Sequence, residues 1–539
     1  MFLQVFFSVV LSIFLVAGVV ALGQKAFNIL QLNAYNNKHT LQYFSKFSNK
    51  FTKTYFWFFV TSVLSIAIFE ILRFILEFNF NYFYILAGLI TIGAGVLFGI
   101  QKKEPTKKPL IYTARVKRLL TCFIVVNLIL IITTNILYFY GNIPFINLAF
   151  IPVLLVPINA CFANLVAMPI EKLIRLNYIK RAKEKLKLHP NLKVVGITGS
   201  YGKTSVKFII TAILKEKYFT LCTPSSFNTE MGITRTVLGE LKPHHEIFVV
   251  EMGADRPNDI ERLCKIIAPD VGVLTAIGPQ HLNTMKTLDN IIKTKYQIIE
   301  NVKPGGLGVF NVGNEHVSKL FFLNTQNKVG VSINGDGNAK IYAKDIKTTA
   351  QGQEFYIVTP ESKFKVVTKL LGEHNIINIL LSVAVALEFN VDVNKIKAAI
   401  KKLEPVKHRL ELLPTHNGAL LLDDSFNSNP MGSKYALDVL KEFKDKFKIV
   451  ITPGMVELGA VQFTENFNFG KNIGSVADEV YIINQLNKEA IYNGLVVSGF
   501  DKNKIYFYNT FNEAFEDIKL KLDNNHVVLI ENDLPDNYN

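Results

Sequence analysis

The chain has 539 residues, of which 49% are hydrophobic, and a formal net charge of +15. This length exceeds that of one typical domain, and the mean hydropathy of +0.25 is high for a soluble enzyme. The 4 cysteines show no metal-ligand spacing, which argues against a cysteine metal centre and is typical of a reducing compartment.

The N-terminal third contains five apolar runs. Each is roughly 20 residues long, enough to cross a hydrocarbon layer of about 30 Å. The first run lacks a basic leading segment and a clear cleavage site, so we do not expect it to be a signal peptide. We predict a membrane region at 1–170 with five transmembrane helices; buried helices of a soluble domain are the alternative. The runs are 2–23, 55–77, 82–100, 119–140 and 144–169.

The loops between these runs differ in charge. Loops 24–53 and 101–118 are rich in lysine and arginine, whereas 77–81 and 141–143 contain neither. By the positive-inside rule the basic loops are cytoplasmic and the N-terminus is outside. A basic helical connector is predicted at 171–190. We therefore attribute the net charge to membrane flanks facing anionic lipid, and we expect no nucleic-acid partner.

From residue 193 onward, short apolar runs alternate with amphipathic stretches. This pattern predicts α/β domains with buried parallel strands. It restarts near Val406, so we predict a central domain at 191–405 and a Rossmann-like C-terminal domain at 406–539. The predicted strands are 193–195, 247–250, 271–277, 308–311, 419–422, 448–451, 480–483 and 527–530.

A glycine-rich segment, Gly196-Ile-Thr-Gly-Ser-Tyr-Gly-Lys-Thr-Ser205, lies between the first predicted strand and a predicted helix at 206–214. Such a turn directs backbone N–H groups and the positive helix end at a phosphate. Lys203 would reach the outer phosphates of ATP, and the Thr204 hydroxyl would hold Mg²⁺. The common spacing would place glycine at Ile197, so a tight turn that binds nothing is the alternative.

Polar side chains follow two other predicted strands. Glu251 ends the strand at 247–250, and His281 follows the strand at 271–277 after a short loop. Open α/β sheets bind ligands at this edge, where Thr204, a carboxylate and a histidine together could hold Mg²⁺. Histidine is an unusual Mg²⁺ ligand, so a simple loop residue is the alternative for His281.

Several strings, in this order along the chain, give the sequence a specific resemblance. They resemble the Mur ligases of peptidoglycan synthesis, and most closely the MurF type. The resemblance covers about 193–500, which implies the α/β Mur ligase fold after the predicted transmembrane region. The strings are Gly199-Ser-Tyr-Gly-Lys-Thr204, Phe227-Asn-Thr-Glu-Met-Gly232, Glu251-Met-Gly-Ala254, His281-Leu282, Lys293-Thr-Lys295, Gly372-Glu-His-Asn-Ile-Ile-Asn378, Lys407-His-Arg-Leu-Glu411, Asp423-Asp-Ser-Phe-Asn-Ser-Asn-Pro430 and Gly454-Met-Val-Glu-Leu-Gly459.

The resemblance implies roles for individual residues. Those implied in catalysis are Lys203, Glu251, His281 and Lys295. Those implied in ATP binding are Gly199, Ser200, Tyr201, Gly202, Lys203, Thr204, Ser205, Asn375, Arg409 and Asp424. Those implied in Mg²⁺ binding are Thr204, Glu251, His281 and Lys295, the last as a carbamate. Those implied in substrate binding are Asn228, His408, Asn427, Asn429 and Pro430.

The resemblance also implies a reaction. A MurF-type ligase uses ATP to add D-alanyl-D-alanine to UDP-N-acetylmuramoyl-tripeptide through an acyl phosphate. Soluble members begin with a small domain that grips the UDP-sugar, and here membrane spans take that place. One alternative is therefore a ligase acting on a lipid-linked or different wall precursor. Another is an ATP-sensing scaffold of wall synthesis. Membrane lipids and other wall-synthesis membrane proteins are further expected partners.

Overall fold

The computed structural model describes residues 16, 19–20, 22–45, 109–141, 155–324, 327–336, 338–349, 352–415, 417–426 and 428–534. The chain divides into two compact units. One comprises 1–175 with 535–539, and the other Leu176–Leu534.

The described part of the first unit is helical. Its core packs Phe27 edge-on against Phe123, with ring centroids 5.0 Å apart, and includes Leu119. Two buried asparagines meet within this apolar core, where Asn159 Nδ2 donates to Asn127 Oδ1 at 2.9 Å. Such a pair joins two apolar helices at one register, because it satisfies polar atoms that are buried between them. Residues 22–32, which include Phe27, are helical, and the further helices are α1 (Asn37–Ser45), α2 (Ala114–Gly141) and α3 (Val156–Lys187).

The five predicted spans are only partly covered by the described residues. Within these, one segment, Ala114–Thr133, is long and apolar enough to cross a bilayer, with a mean hydropathy of 2.1. One such helix also occurs in soluble cores and in signal sequences, so five spans remain a prediction. The runs 55–77 and 82–100 lie outside the described residues, as do most of 2–23 and residues 144–154.

Helix α3 contains the predicted connector. It runs without interruption from Val156 to Lys187 and includes Pro169. The predicted basic connector at 171–190 is thus its C-terminal half, followed by a turn that leads directly into the first strand. Ala182, near the end of the helix, belongs to a core of the second unit.

A nine-stranded sheet forms the centre of the first α/β domain. Its strands are β1 (Lys193–Thr198), β2 (Thr220–Cys222), β3 (Ile247–Glu251), β4 (Val271–Leu274), β5 (Leu307–Asn311), β6 (Lys328–Ser332), β7 (Ile341–Thr349), β8 (Gly352–Val358) and β9 (Lys363–Thr368). Their order is β2-β3-β1-β4-β5-β6-β7-β8-β9. The pairs from β2 to β7 are parallel, whereas β7-β8 and β8-β9 are antiparallel. The sheet is therefore mixed: the four strands predicted between 193 and 311 lie in its parallel part, as predicted, and β8 and β9 add antiparallel pairs that were not predicted.

Helices cover both faces of this sheet. Alternate residues of β1 lie in two different hydrophobic cores. Val195 and Ile197 belong to one core and Val194 to the other, because successive side chains of a strand point to opposite faces of the sheet. The helices are α4 (Lys203–Leu214), α5 (Glu230–Glu240), α6 (Asp259–Cys264), α7 (Leu282–Met285), α8 (Leu288–Glu300), α9 (Glu315–Leu323), α10 (Glu373–Glu388) and α11 (Val393–Lys401).

The last strand in the order, β9, is amphipathic. Its residues alternate between exposed and buried, with Phe364 and Val366 in the core. Lys363 and Lys365 point outward. This alternation is that of a strand with one solvated face.

A six-stranded sheet forms the second α/β domain. Its strands are β10 (Glu411–Pro414), β11 (Leu420–Asp424), β12 (Phe447–Thr452), β13 (Glu479–Ile483), β14 (Ile505–Tyr508) and β15 (His526–Glu531). The order is β10-β11-β15-β12-β13-β14, in which only β10 is antiparallel to its neighbour. The helices are α12 (Pro430–Lys441), α13 (Gln462–Ile473), α14 (Lys488–Val497) and α15 (Phe511–Lys519). This doubly wound arrangement places the ends of β11, β15 and β12 side by side.

Candidate active site

The glycine-rich loop connects β1 to α4, and two of its glycines are required by geometry. Gly199 has φ 155°, and an added Cβ would lie 1.9 Å from Thr275 Oγ1. Gly202 has φ 78°, and an added Cβ would lie 2.8 Å from Asn378 Oδ1. Side chains at these positions would collide with neighbouring elements. The loop is therefore shaped by its surroundings as well as by its own sequence.

The loop is fastened to the segment that follows β4. Ser200 Oγ donates to the Gly278 carbonyl at 2.9 Å, and the Tyr201 hydroxyl donates to the Pro279 carbonyl at 3.1 Å. Lys203, Thr204 and Ser205 then form the first turn of α4. N–H groups of a first helical turn have no partner within the helix, and with the helix dipole they form an anion site.

Lys203 is held over this loop by backbone carbonyls. Its Nζ donates to Gly199 O at 2.7 Å and to Ser200 O at 3.2 Å. Burial lowers the pKa of Lys203, while the nearby charge of Glu251 acts in the opposite direction. The ammonium group therefore lies at the loop that the sequence analysis assigns to ATP.

Lys295, on α8, reaches the same loop. Its side chain is buried and its Nζ donates to Gly199 O at 2.9 Å. Burial lowers the pKa of Lys295 well below its usual value, and the positive charge of Lys203 adds to this shift. Lysine pKa values fall readily on burial. The shift favours the neutral amine, which is the form that can react with carbon dioxide to give a carbamate.

Glu251, the last residue of β3, is buried and has partners on both oxygens. Asn228 Nδ2 donates to Oε1 at 3.0 Å, and Lys207 Nζ donates to Oε2 at 3.2 Å. Register pairs Glu251 with Ile197 of β1, just before the glycine-rich loop. Asn228, expected to contact substrate, is thus placed beside Glu251. Lys207 was not singled out from the sequence.

His281 lies between two carboxylates. Its Nδ1 is 3.0 Å from Glu457 Oε2, and its Nε2 is 3.4 Å from Asp255 Oδ1. Its backbone is left-handed, with φ 53°. Glu457 belongs to the C-terminal domain, so this contact joins the two α/β domains at the site. Sequence reasoning missed both acids, although Asp255 directly follows one recognised string and Glu457 lies within another.

Two of these side chains have the chemistry to bind Mg²⁺. The Thr204 hydroxyl and the Glu251 carboxylate are oxygen donors of the kind Mg²⁺ prefers. Among the described side chains, no three His, Cys, Asp or Glu residues form a group that could hold a metal. The oxygen donors fit one ion bound together with nucleotide phosphates. His281 is instead engaged by carboxylates, and a carbamate on Lys295 would add the oxygens that a second ion needs.

The C-terminal domain directs Arg409 toward the same site. Burial lowers the pKa of Arg409, whereas the negative charges of Asp424, Glu251 and Glu531 act to raise it. Its guanidinium carbon lies 4.7 Å from the centroid of the Phe426 ring, a favourable cation–π distance. Asn375, on α10, is buried and donates to Leu371 O at 2.8 Å.

The remaining predicted substrate residues have evident local roles. Asn429 caps α12 by accepting a hydrogen bond from Gly432 N at 2.8 Å, and Pro430 is the first residue of that helix. Asparagine is favoured at the N-cap and proline at the first helical position. His408 is exposed, and its Nδ1 lies 2.7 Å from Asp423 Oδ2. Asn427 lies outside the described residues. The predicted contacts of these residues with substrate remain predictions.

The glycine-rich loop, Lys203, Lys295 and the arginine from a second α/β domain come together at one site, an arrangement that fits an ATP-dependent ligase of two α/β domains. Models of the Mur ligase middle domain and the Mur ligase glutamate ligase domain match residues 197–386 and 408–531. The chain belongs to the Mur ligase family, in its MurF branch.

Relatives and a solved structure support this assignment. The chain is 31% identical to the UDP-N-acetylmuramoyl-tripeptide–D-alanyl-D-alanine ligase of Buchnera aphidicola subsp. Baizongia pistaciae, over 63% of this chain and 72% of that one. It is 30% identical to the ligase of the same name from Haemophilus influenzae, over 53% of this chain and 62% of that one. The MurF ligase of Thermotoga maritima in complex with ADP is similar in structure. Its TM-score is 0.59 at 28% identity, over 66% of this chain and 80% of that one.

Proposed function

We propose that this chain uses ATP to join D-alanyl-D-alanine to UDP-N-acetylmuramoyl-tripeptide, releasing ADP and phosphate. The observation that carries the proposal is the meeting of both α/β domains at one site. Lys203 and Glu251 come from the central domain, and Arg409, from the C-terminal domain, interacts with Glu251. The names of the curated relatives supply the substrates.

The arrangement suits phosphoryl transfer followed by amide formation. A carboxylate oxygen of the peptide attacks the γ-phosphorus of ATP, and ADP leaves. Lys203 and Arg409 offset the negative charge that builds up in this step, where catalysis is mainly positioning and electrostatic stabilisation. Mg²⁺ bound with the nucleotide at Thr204 and Glu251 would supply further positive charge.

The second step forms the amide. The amine nitrogen attacks the acyl carbon of the acyl phosphate, phosphate leaves, and the amine loses a proton. Water would compete with the amine, so the site benefits from exclusion of solvent. Contact between His281 and Glu457 holds the two domains together on one side of the site. We propose that this contact helps to exclude water while the acyl phosphate exists.

A direct assay tests the proposal. Purified protein is incubated with ATP, Mg²⁺, UDP-N-acetylmuramoyl-tripeptide and D-alanyl-D-alanine, and the product is identified by mass spectrometry. We expect a mass increase equal to the dipeptide less one water, together with equimolar ADP. Replacing the UDP-linked acceptor with a lipid-linked one tests the principal alternative, which the apolar helices before the ligase domains favour. ADP formation without either product would contradict both.

We also propose that the enzyme is held at the cytoplasmic face of the membrane. Apolar side chains of α2 and α3 are exposed, including Ile129, Ile132 and Phe162, while Arg118 near the start of α2 pairs with Glu171 through bonds of 2.6 and 3.0 Å. Exposed apolar faces ending in basic residues are typical of membrane helices and their cytoplasmic flanks. Such an anchor would place the enzyme beside membrane lipids and other wall-synthesis membrane proteins.

Reporter fusions test this placement. A reporter joined after Asn81 should read as external, and one joined after Lys103 as cytoplasmic. The opposite pattern would put the ATP site on the wrong side of the membrane and overturn the proposed localisation.

A further inference from the structure

Glu531 is a buried acid that has no role in the reaction proposed above. It is the last residue of β15 and has no exposed surface. In the sheet it lies directly beside Asp424, the last residue of β11. The Ser428 hydroxyl donates to Glu531 Oε1. No hydrogen-bond donor among the described residues reaches its other oxygen, Oε2.

Asp424 and Glu531 are both buried and lie side by side at the ends of their strands, so their carboxyl groups interact. Two neighbouring buried carboxylates repel each other when both are ionised, and one proton held between them, as a hydrogen bond, would relieve this repulsion. Burial raises the pKa of Glu531 well above its usual value, and the charge of Asp424 adds to the shift. Burial also raises the pKa of Asp424, to about 6, although Arg409 opposes the change. Both shifts favour the protonated form of the pair, and the shift is larger for Glu531.

Asp424 connects this pair to Arg409, which is predicted to contact the nucleotide. Its Oδ1 accepts from Leu410 N at 3.1 Å, which holds the carboxylate next to Arg409. The charged groups facing the pair are Arg409 and, on the same strand as Asp424, Asp423. Arg409 and Asp424 occupy positions that the family resemblance assigns to nucleotide contact.

Ser428 connects the pair to the segment before α12, next to the predicted substrate residues Asn429 and Pro430. Its backbone N donates to Asn532 Oδ1 at 3.4 Å, and Asn532 Nδ2 donates to Gly454 O at 2.6 Å. Glu531 and Asn532 thus tie the ends of β11 and β12 to the start of the loop before α12. One buried side chain, that of Glu531, thus lies between the predicted nucleotide contacts and this segment.

We infer that Glu531, which lies beside Asp424 and accepts a hydrogen bond from Ser428, is a positioning residue that sets Asp424 and the segment before α12 in one arrangement. The nucleotide contact and the predicted substrate residues at the start of α12 are thereby aligned together before the second step. The inference rests on the proposed function for the roles of the nucleotide contact and of the substrate segment. The connection between these two, through Glu531, is taken from the structure.

Two substitutions at one position test the inference. Glu531→Gln replaces the protonated acid by a group of the same shape: its amide N–H can donate to Asp424 and its oxygen can accept from Ser428. Glu531→Ala removes both bonds. We expect Glu531→Gln to keep kcat/KM for D-alanyl-D-alanine within about 3-fold of wild type, and Glu531→Ala to lose at least about 10-fold, the range of one net hydrogen bond or more. Glu516→Gln, at an exposed acid of α15, is the control and should match wild type.

The pH profile separates this role from a merely structural one. Wild-type kcat/KM should fall at alkaline pH as Glu531 loses the shared proton, and Glu531→Gln should lack this fall. A Gln variant as inactive as the Ala variant would overturn the inference, because the carboxylate itself would then be needed. Identical pH profiles for wild type and Glu531→Gln would also overturn it, as would a fully active Glu531→Ala.

ADP affinity, measured by calorimetry on the same purified chains, separates this inference from the proposed function. Glu531→Ala should bind ADP several-fold more weakly than wild type, and Glu531→Gln equally well. This readout needs no acceptor, so it stands even when the wild-type chain fails to ligate the proposed substrates. Equal ADP affinity for all three chains, with unchanged thermal unfolding, would contradict the coupling of Glu531 to Asp424.

Discussion

Lys207 Nζ lies 3.2 Å from Glu251 Oε2, and neither side chain is more than 1% exposed. Lys207 also donates to the Ser225 carbonyl, and Asn228 binds the other carboxylate oxygen of Glu251. The helix after the phosphate-binding loop and the loop at 225–228 therefore hold Glu251 from two sides. A buried ion pair at this position fixes the direction of the carboxylate that we assign to Mg²⁺.

Breaking this pair should destabilise the fold. Lys207→Met leaves the Glu251 charge buried without its partner, which typically costs about 3–5 kcal/mol. Lys265→Met is the matched control, because its pair with Glu261 is mostly exposed and should contribute less than about 1 kcal/mol. Urea unfolding measures both. The double variant Lys207→Met/Glu251→Gln should recover part of the loss, and equal losses in Lys207→Met and Lys265→Met would contradict the prediction.

Lys203→Ala should nearly abolish ligation. The substitution removes a positive charge from the developing phosphoryl transition state, a loss typically worth about 10²–10³ in rate or more. Product is followed by mass spectrometry, and circular dichroism checks the fold. Lys215→Ala, at an exposed lysine just after the same helix, should behave as wild type. Near-normal product formation by Lys203→Ala would exclude the phosphate-loop assignment.

Lys295→Ala should also be nearly inactive, and short-chain carboxylates should restore part of its activity. An added carboxylate can occupy the space of the carbamate and supply its oxygens. Lys293→Ala, two residues earlier on α8 and exposed, should keep full activity. Carbon dioxide depletion should slow the wild-type enzyme alone. An active Lys295→Ala variant without additive would show that no carbamate is needed.

His374 should make folding stability depend on pH. Burial lowers its pKa from 6.5 to about 4, helped by the charge of Arg409, and its Nδ1 is buried without a hydrogen-bond partner among the described residues. Between these values the unfolded chain binds the proton more readily. The neutral imidazole's contribution is therefore complete above pH 6.5 and is lost as pH falls toward about 4.

The variant His374→Phe tests this dependence, because a phenyl ring can keep the stacking on Tyr435, whose ring centroid is 5.1 Å away. The free energy of unfolding of wild type relative to this variant should fall between pH 6.5 and 4. Urea titrations at several pH values measure the difference. A difference that stays constant with pH would show that His374 does not titrate on unfolding.

The helical first unit should be dispensable for chemistry. The second unit, Leu176–Leu534, is compact and contains every described residue that we place at the site. A chain beginning near Lys172 should therefore bind ADP and ligate D-alanyl-D-alanine, with a higher KM for the UDP-substrate. Folded, ADP-binding protein that makes no product would instead show that the first unit takes part in acceptor binding, and would favour a lipid-linked acceptor.

The strands predicted from continuous apolar runs are present. The prediction at 247–250 becomes Ile247–Glu251, and that at 527–530 becomes His526–Glu531, because strands buried on both faces have nearly uninterrupted apolar sequences. The antiparallel strands at 341–368 were missed. In Lys363–Thr368 every second residue is exposed, so no continuous apolar run marks the strand, and its partner is chosen by tertiary packing.

The site residues likewise fall into those that sequence motifs predict and those that only tertiary contacts bring to the site. Motif strings identified the loop at 199–204, Glu251, His281 and Lys295, whose chemistry is local to short segments. Lys207 could not be identified, since a lysine in a helix is usually solvated and only the neighbouring strand and loop make it buried. Glu531 and Asp255 depend on contacts between segments distant in sequence.

The lysines of β9 bear on how the protein behaves at high concentration. This strand ends the nine-stranded order, and an edge strand can pair with the same strand of another molecule. Lys363 and Lys365 stand on its outward face, where they pair with Asp345 and Glu354 of the neighbouring strands. A second molecule added at this edge would have to bury part of these charged side chains, which disfavours the pairing. The alternation that lets Phe364 and Val366 enter the core thus also discourages aggregation through this edge, which helps to keep a chain with so many apolar residues from precipitating as it is synthesised.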